Sequence, residues 1–127
     1  MYVVQEEDFQ GDRLETPFGR EVKHLVADWN AGATKLWLGV SIIDPDSSSN
    51  PHTHHDQEEV FYCLGGQGLV RMDDQEAELR VGTCVFVPEG AEHQLVNTRP
   101  DELLRVLYAT APAFSREGWS ATHKAEE

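Results

Sequence analysis

The sequence predicts an all-β protein, a sandwich or barrel of short antiparallel strands. Apolar runs rich in β-branched and aromatic residues recur, with turn signals about every eight to twelve residues, and no segment keeps a helical period. At 127 residues the chain reads as one domain, 1–127, long enough to bury about two-thirds of its unfolded surface.

Residues 1–20 are acidic and broken by Gly11, Pro17 and Gly19, and they read as an irregular lead-in with one short edge strand. From Arg20 to Ala27, Val22 and Val26 stand in a strand-like setting, which the turn residues Asp28 to Ala33 interrupt. Lys35 to Ile43 is the next strand, and its alternation places Leu36, Leu38, Val40 and Ile42 on one face. Asp44 to Pro51 is a loop. Five short strands follow: Val60–Leu64, Leu69–Met72, Ala77–Val81, Thr83–Val87 and His93–Val96. They are divided by Gly65-Gly66, Asp73-Asp74, Gly82 and Pro88-Glu89-Gly90. Leu103–Thr110 completes the set. The tail from Ala111 is polar, with Phe114 and Trp119 as large apolar groups to dock it, as a short helix.

The formal charge is −13, and the ten Lys and Arg residues are scattered. Phosphate neutralisation needs clustered cations, so nucleic acid and anionic membranes are excluded as partners. No apolar run reaches a membrane span, and Met1 to Asp8 lacks the basic and apolar regions of a signal peptide. Two cysteines, Cys63 and Cys84, are too few for a disulfide framework; both lie in apolar runs and read as small hydrophobes. The expectation is a reduced, cytoplasmic protein.

The chemistry concentrates in Pro51 to Gly66, where His52, His54, His55, Glu58 and Glu59 precede an apolar run. Imidazole and carboxylate are ligands for a borderline divalent metal. His52 and His54 are two apart, so on an extended chain both leave from the same face. Glu59, Phe61 and Cys63 share one face of the next strand. A carboxylate ahead of an apolar inward row is costly to bury alone, and a cation compensates it. An HxH on a strand taken by itself is more often two ordinary surface histidines than a metal site. The stretch from Gly82 to Asn97 then supplies a β-run, a Pro-x-Gly turn and His93 opening a new strand.

Together the two stretches resemble the cupin family. Its second motif (G, five residues, PxG, two, H, three, N) is matched in full by Gly82, Pro88, Gly90, His93 and Asn97. Its first motif (G, five, HxH, three or four, E, six, G) is matched by His52, His54, Glu59 and Gly66, but Asp46 stands at the leading glycine. The resemblance implies a small antiparallel barrel of jelly-roll type, a double-stranded β-helix with its core at about residues 20–110. It also implies one divalent transition metal (iron, manganese, zinc, nickel or copper) held by His52, His54, Glu59 and His93, and a homodimer.

Other residues are weighed against blander roles. Glu58 is the rival to Glu59 as ligand, but the six-residue step to Gly66 favours Glu59. His55 has the wrong parity and reads as a rim residue. Gln57 and Gln94 flank ligands and could support them from behind, although exposed loop glutamine is the simpler reading. Cys63 and Phe61 face inward, Cys63 as packing rather than as a nucleophile. His24 and His123 lie outside the motifs and receive no role. Arg71, Arg80 and Lys35 stand on strands; one turned inward would bind a substrate carboxylate, and a solvated face is the default.

Three functions follow from this resemblance. The favoured one is a metal-dependent enzyme on a small oxygenated substrate (a sugar acid, keto acid or enediol), of isomerase, decarboxylase, lyase or dioxygenase type. The alternative is a non-catalytic module that binds or senses a small molecule or sugar, and the absence of a recognisable output domain lowers it. A purely structural protein would not need the ligands.

Overall fold

The computed structural model describes residues 1–113 and 116–123. Ten strands form two antiparallel sheets. In chain order they are β1 (Asp12–Leu14), β2 (Arg20–Val26), β3 (Trp37–Ile43), β4 (His52–Thr53), β5 (Glu58–Gly65), β6 (Gln67–Met72), β7 (Gln75–Arg80), β8 (Cys84–Val87), β9 (Glu92–Asn97) and β10 (Leu104–Ala111). The six-stranded sheet runs β1-β2-β3-β10-β5-β8 and the four-stranded sheet β4-β9-β6-β7. Short helices α1 (Asp28–Ala31) and α2 (Arg116–His123) and a 3-10 turn at Glu6–Asp8 complete the described elements. The predicted all-β architecture and its strand run from residue 20 to 110 are what the chain forms. Among the described residues, no helix is long and apolar enough to cross a membrane.

The core lies between the sheets. Leu14, Val22, Trp37, Ile43, Phe61, Cys63, Val70, Leu79, Leu95, Leu104 and Val106 are all buried. β5 shows why: its alternating burial puts Glu59, Phe61 and Cys63 inside and Glu58, Val60, Tyr62 and Leu64 outside. The turn after it depends on Gly66, whose φ is +83° and whose missing Cβ leaves room for the Leu103 carbonyl. Asp46 occupies the position where the family motif has glycine, and it holds the same left-handed conformation, with φ 57°. Aspartate tolerates this region better than most side chains, so the substitution keeps the turn.

Asn97 shows what the end of the second motif does. Its side-chain amide donates to the carbonyls of Ile43, Asp44 and Glu102, and its Oδ1 accepts from the Arg99 amide. It ties the loop after β3 to the loop before β10.

Three local expectations change. The buried face of β3 carries Trp37, Gly39 and Ile43, while Leu36 is exposed and Leu38 and Ile42 are only partly covered. The alternation of β3 is regular against β10, and a bulge in β2 between Lys23 and Val26 interrupts only the β2–β3 pairing; Val40, on the expected face, is buried. The Asp28–Ala33 turn contains one helical turn, stabilised by Asn30, whose side chain accepts from the Ala27 amide and donates to the His24 carbonyl. Cys84 is exposed, because it lies on the outer face of the edge strand β8, opposite Tyr62. In the tail, Trp119 docks as expected, at 3 % exposure within α2, and Phe114 falls outside the described residues.

Candidate metal centre

The two sheets contribute to one point. β4 and β9 pair so that His52 lies opposite His93 in the four-stranded sheet, and His54 follows just beyond β4. Glu59 reaches across from β5 in the six-stranded sheet. One ligand atom from each of His52, His54, Glu59 and His93 falls within 4.8 Å of the others. Ligands at about 2.1 Å from one ion stand about 3 to 4.3 Å apart, so a single cation fits with little adjustment.

The orientation of the rings supports this fit. Each histidine spends Nδ1 on an oxygen behind it: His52 on the Asn50 carbonyl (2.8 Å), His54 on Gln57 Oε1 (3.1 Å) and His93 on the Ala91 carbonyl (3.0 Å). Those acceptors place the ring proton on Nδ1 and turn Nε2, a bare lone pair, toward the centre. Glu59 is 5 % exposed and His93 1 %. Thr110 donates to Glu59 Oε2 at 2.8 Å, leaving Oε1 3.3 Å from His54 Nε2 and 3.0 Å from His93 Nε2. Glu59 Oε1 and His93 Nε2 are buried without a hydrogen bond. Lone pairs facing a carboxylate oxygen at these distances repel unless a positive charge lies between them, which a metal ion supplies.

Ionisation follows from the same arrangement. Burial, reinforced by His93, depresses His52 to about 3. Burial raises the Cys63 thiol, in keeping with a packing role.

The structure sorts the other sequence candidates. Glu58 and His55 face solvent. Gln57 is not an exposed loop residue: it is buried, receives His54 Nδ1–H and donates to the Pro112 carbonyl at 2.6 Å. Gln94 is half-buried and bonds Ser48 and Ser49 instead of a ligand. Arg71, Arg80 and Lys35 are exposed, and Arg71 pairs with Glu76. The inward cation is Arg20, 1 % exposed, which donates to Asn50 Oδ1 and the Phe18 carbonyl.

A cavity adjoins the ligands. It is lined by His52, Glu59 and Phe61, by Arg20, Ser41, Tyr108 and Thr110, and by Trp119 and His123 of α2. The His123 ring centroid is 4.3 Å from that of His52, and Trp119 packs edge-on against His24 at 4.3 Å. Burial and the neighbouring His52 push His123 well below the usual imidazole range. Sequence reasoning gave His24, His123 and Arg20 no part here and did not weigh Thr110. Thr110 had a legible signal, a polar residue in register with the apolar inward row of β10; His123 and Arg20 had none, since only the packing of α2 and β2 brings them in.

The family follows from the motifs in their places. A cupin domain model matches residues 39–109. The chain belongs to the cupin family. Protein SchB of Streptomyces halstedii is 31% identical over 98 residues, covering 77% of this chain and 70% of that protein. The dimethylsulfoniopropionate lyase DddW of Ruegeria pomeroyi is 32% identical over 89 residues, covering 70% of this chain and 57% of its own length. A Thermotoga maritima structure described as a predicted oxalate decarboxylase superposes with a TM-score of 0.79 at 21% identity, over 87% of this chain and 99% of that one. This cupin and those relatives share a fold, while the relatives' named chemistries differ.

Two outcomes are expected for this centre. Gln57→Leu removes the acceptor that orients His54 and weakens metal binding by about 10- to 100-fold, measured by competition with a chelator. In metal-stripped protein, His52 takes up its proton in the folded state only near pH 3 but at its ordinary value of 6.5 when unfolded. The unfolded state therefore binds more protons between these limits. Stability falls as pH drops from about 6.5 toward 3, by up to about 1.4 kcal/mol per pH unit for this group. Urea unfolding across that range measures it.

Proposed function

We propose that this cupin is a metal-dependent enzyme acting on a small oxygenated acid, of the sugar-acid, keto-acid or enediol kind. The observation that carries this reading is the opening of the four-ligand cluster onto a cavity walled by Arg20. A bound divalent metal would supply Lewis-acid chemistry at substrate oxygens or a site for dioxygen. Arg20 would take the substrate carboxylate through its guanidinium fork. Thr110 holds the Glu59 carboxylate in one orientation, Gln57 does the same for the His54 ring, and α2 excludes bulk water from above. The names of DddW, a dimethylsulfoniopropionate lyase, and of the Thermotoga protein, a predicted oxalate decarboxylase, support a small carboxylic acid as the substrate class and leave isomerase, lyase, decarboxylase and dioxygenase routes open.

Elemental analysis of protein purified without added metal is expected to find about one iron, manganese, zinc, nickel or copper ion per chain, and His52→Ala to remove it. Holo-protein then turns over at least one member of a panel of keto and sugar acids. Arg20→Lys raises KM more than it lowers kcat. Tight calorimetric binding of those acids with no product from any of them would instead mark a binding module.

The same reading extends to a homodimer. Val60 and Tyr62 on β5 stand beside Phe86 and Cys84 on the edge strand β8, all exposed on the outer face of the six-stranded sheet. An apolar patch at an open sheet edge suits a second copy of the same chain. Sedimentation at micromolar concentration is expected to show a dimer, and Phe86→Glu a monomer; a monomeric wild-type protein would refute this.

A further inference from the structure

A row of polar side chains crosses the six-stranded sheet from the metal cavity to its far edge. It starts at Tyr108 on β10, which lines the same cavity as His52 and Glu59. The neighbouring strand β3 has Gly39 directly opposite Tyr108, and a Cβ there would collide with the tyrosine hydroxyl. With glycine in place, the phenol passes over β3 and its Oη lies 2.5 Å from His24 Nδ1 on β2. Beyond it, His24 Nε2 is 3.4 Å from Asp12 Oδ2 on β1. Asp12 and His24 line a second, outer pocket with Gln10 and Arg116, and Arg116 holds the other Asp12 oxygen at 2.9 Å.

The donor inventory sets the direction of these contacts. Trp37 Nε1–H, which can only donate, bonds His24 Nδ1 at 3.1 Å. Nδ1 is therefore an acceptor, the Tyr108 hydroxyl on the same nitrogen is a donor, and the ring proton sits on Nε2 facing the Asp12 carboxylate. The order carboxylate, imidazole, hydroxyl is that of a nucleophile-and-base triad with a phenol in the reacting position.

We infer that Tyr108 is a catalytic base for a substrate held at the metal centre, with His24 and Asp12 as the positioning residues that receive its proton. This rests on the enzyme reading above. Burial, with the charge of Glu59, raises the Tyr108 phenol well above its ordinary value, so alone it stays protonated and is no base. Coupled to His24 it becomes one. Tyr108 Oη takes a proton from a substrate C–H or O–H as its own proton passes to His24 Nδ1, leaving the substrate as its conjugate base. The imidazolium, protonated on both nitrogens, is balanced by Asp12, and the proton leaves by the outer pocket. The groups facing His24 are Asp12 from β1 and Tyr108 from β10, with Trp37, Trp29 and Trp119 presented by β3, α1 and α2.

Two measurements test this. The first is exchange of the pyruvate methyl protons with D2O, followed by proton NMR on metal-loaded protein at pyruvate concentrations that saturate it by calorimetry. Tyr108→Phe is expected to slow the exchange at least about 100-fold, and Asp12→Asn at least about 10-fold, with metal content and pyruvate affinity unchanged. Undiminished exchange in Tyr108→Phe, or none in the pyruvate-bound wild type, overturns the inference. The second needs no metal or ligand: 15N NMR of labelled histidine should show His24 protonated on Nε2 and bare at Nδ1 at neutral pH. A His24 protonated on Nδ1 cannot accept the phenolic proton and overturns it as well. Failure of the enzyme reading shows separately, as purified protein without metal or a substrate panel without product.

Discussion

A buried carboxylate facing unprotonated imidazoles is the constraint around which this molecule is built. Glu59 Oε1 lies 3.0 and 3.3 Å from the Nε2 atoms of His93 and His54, in a site closed to water. Every surrounding contact acts to keep the lone pairs converging. Three carbonyl or amide oxygens hold the imidazole Nδ1 protons away from the centre, and Thr110 fixes the other carboxylate oxygen. Such a cluster is unfavourable without a cation, so a metal bound there would also stabilise the barrel.

The barrel exists to bring the two halves of that cluster together. His52 and His93 are neighbours within the four-stranded sheet, whereas Glu59 belongs to the other sheet, so the site is complete only when the sheets close on each other. The same closure defines the cavity. Its polar wall comes from β2, β3 and β10 and its cover from α2, whose Trp119 and His123 pack on His24 and His52. The chemistry open to the site is thus set by elements outside the two ligand stretches.

Several of those elements were hidden from the sequence for identifiable reasons. Arg20, Tyr108 and Thr110 lie in strands whose inward face is apolar elsewhere, and which face is inward depends on pairing and bulges. The unbroken pairing of β3 with β10 turns Trp37, Gly39 and Ile43 inward, a parity that the apolar alternation of the sequence alone does not choose. Gln57 reads as one more polar loop residue until the Pro112 carbonyl, fifty-five residues away, is found beside its amide. Cys84 reads as a small hydrophobe, and only the position of β8 at the sheet edge exposes it.

By itself the sequence determined the all-β class and the strand run from residue 20 to 110, and its resemblance to the cupin motifs singled out His52, His54, Glu59 and His93, which the fold gathers into a cluster that could hold a metal. The strands are carried by local signals, alternation of period two and turn residues at Gly66, Gly82 and Gly90, and the four site residues by the spacing of the two motifs. Even the Asp46 departure was harmless, because an aspartate can hold the backbone conformation of the glycine it replaces. Only the tertiary structure decided that Arg20 lines the cavity, that α2 covers it, and that Tyr108, His24 and Asp12 form one row across four strands. Those contacts join residues from 12 (Asp12–His24) to 95 (His24–Trp119) positions apart in the chain, and no local periodicity records which distant side chains a twisted, bulged sheet will bring into contact.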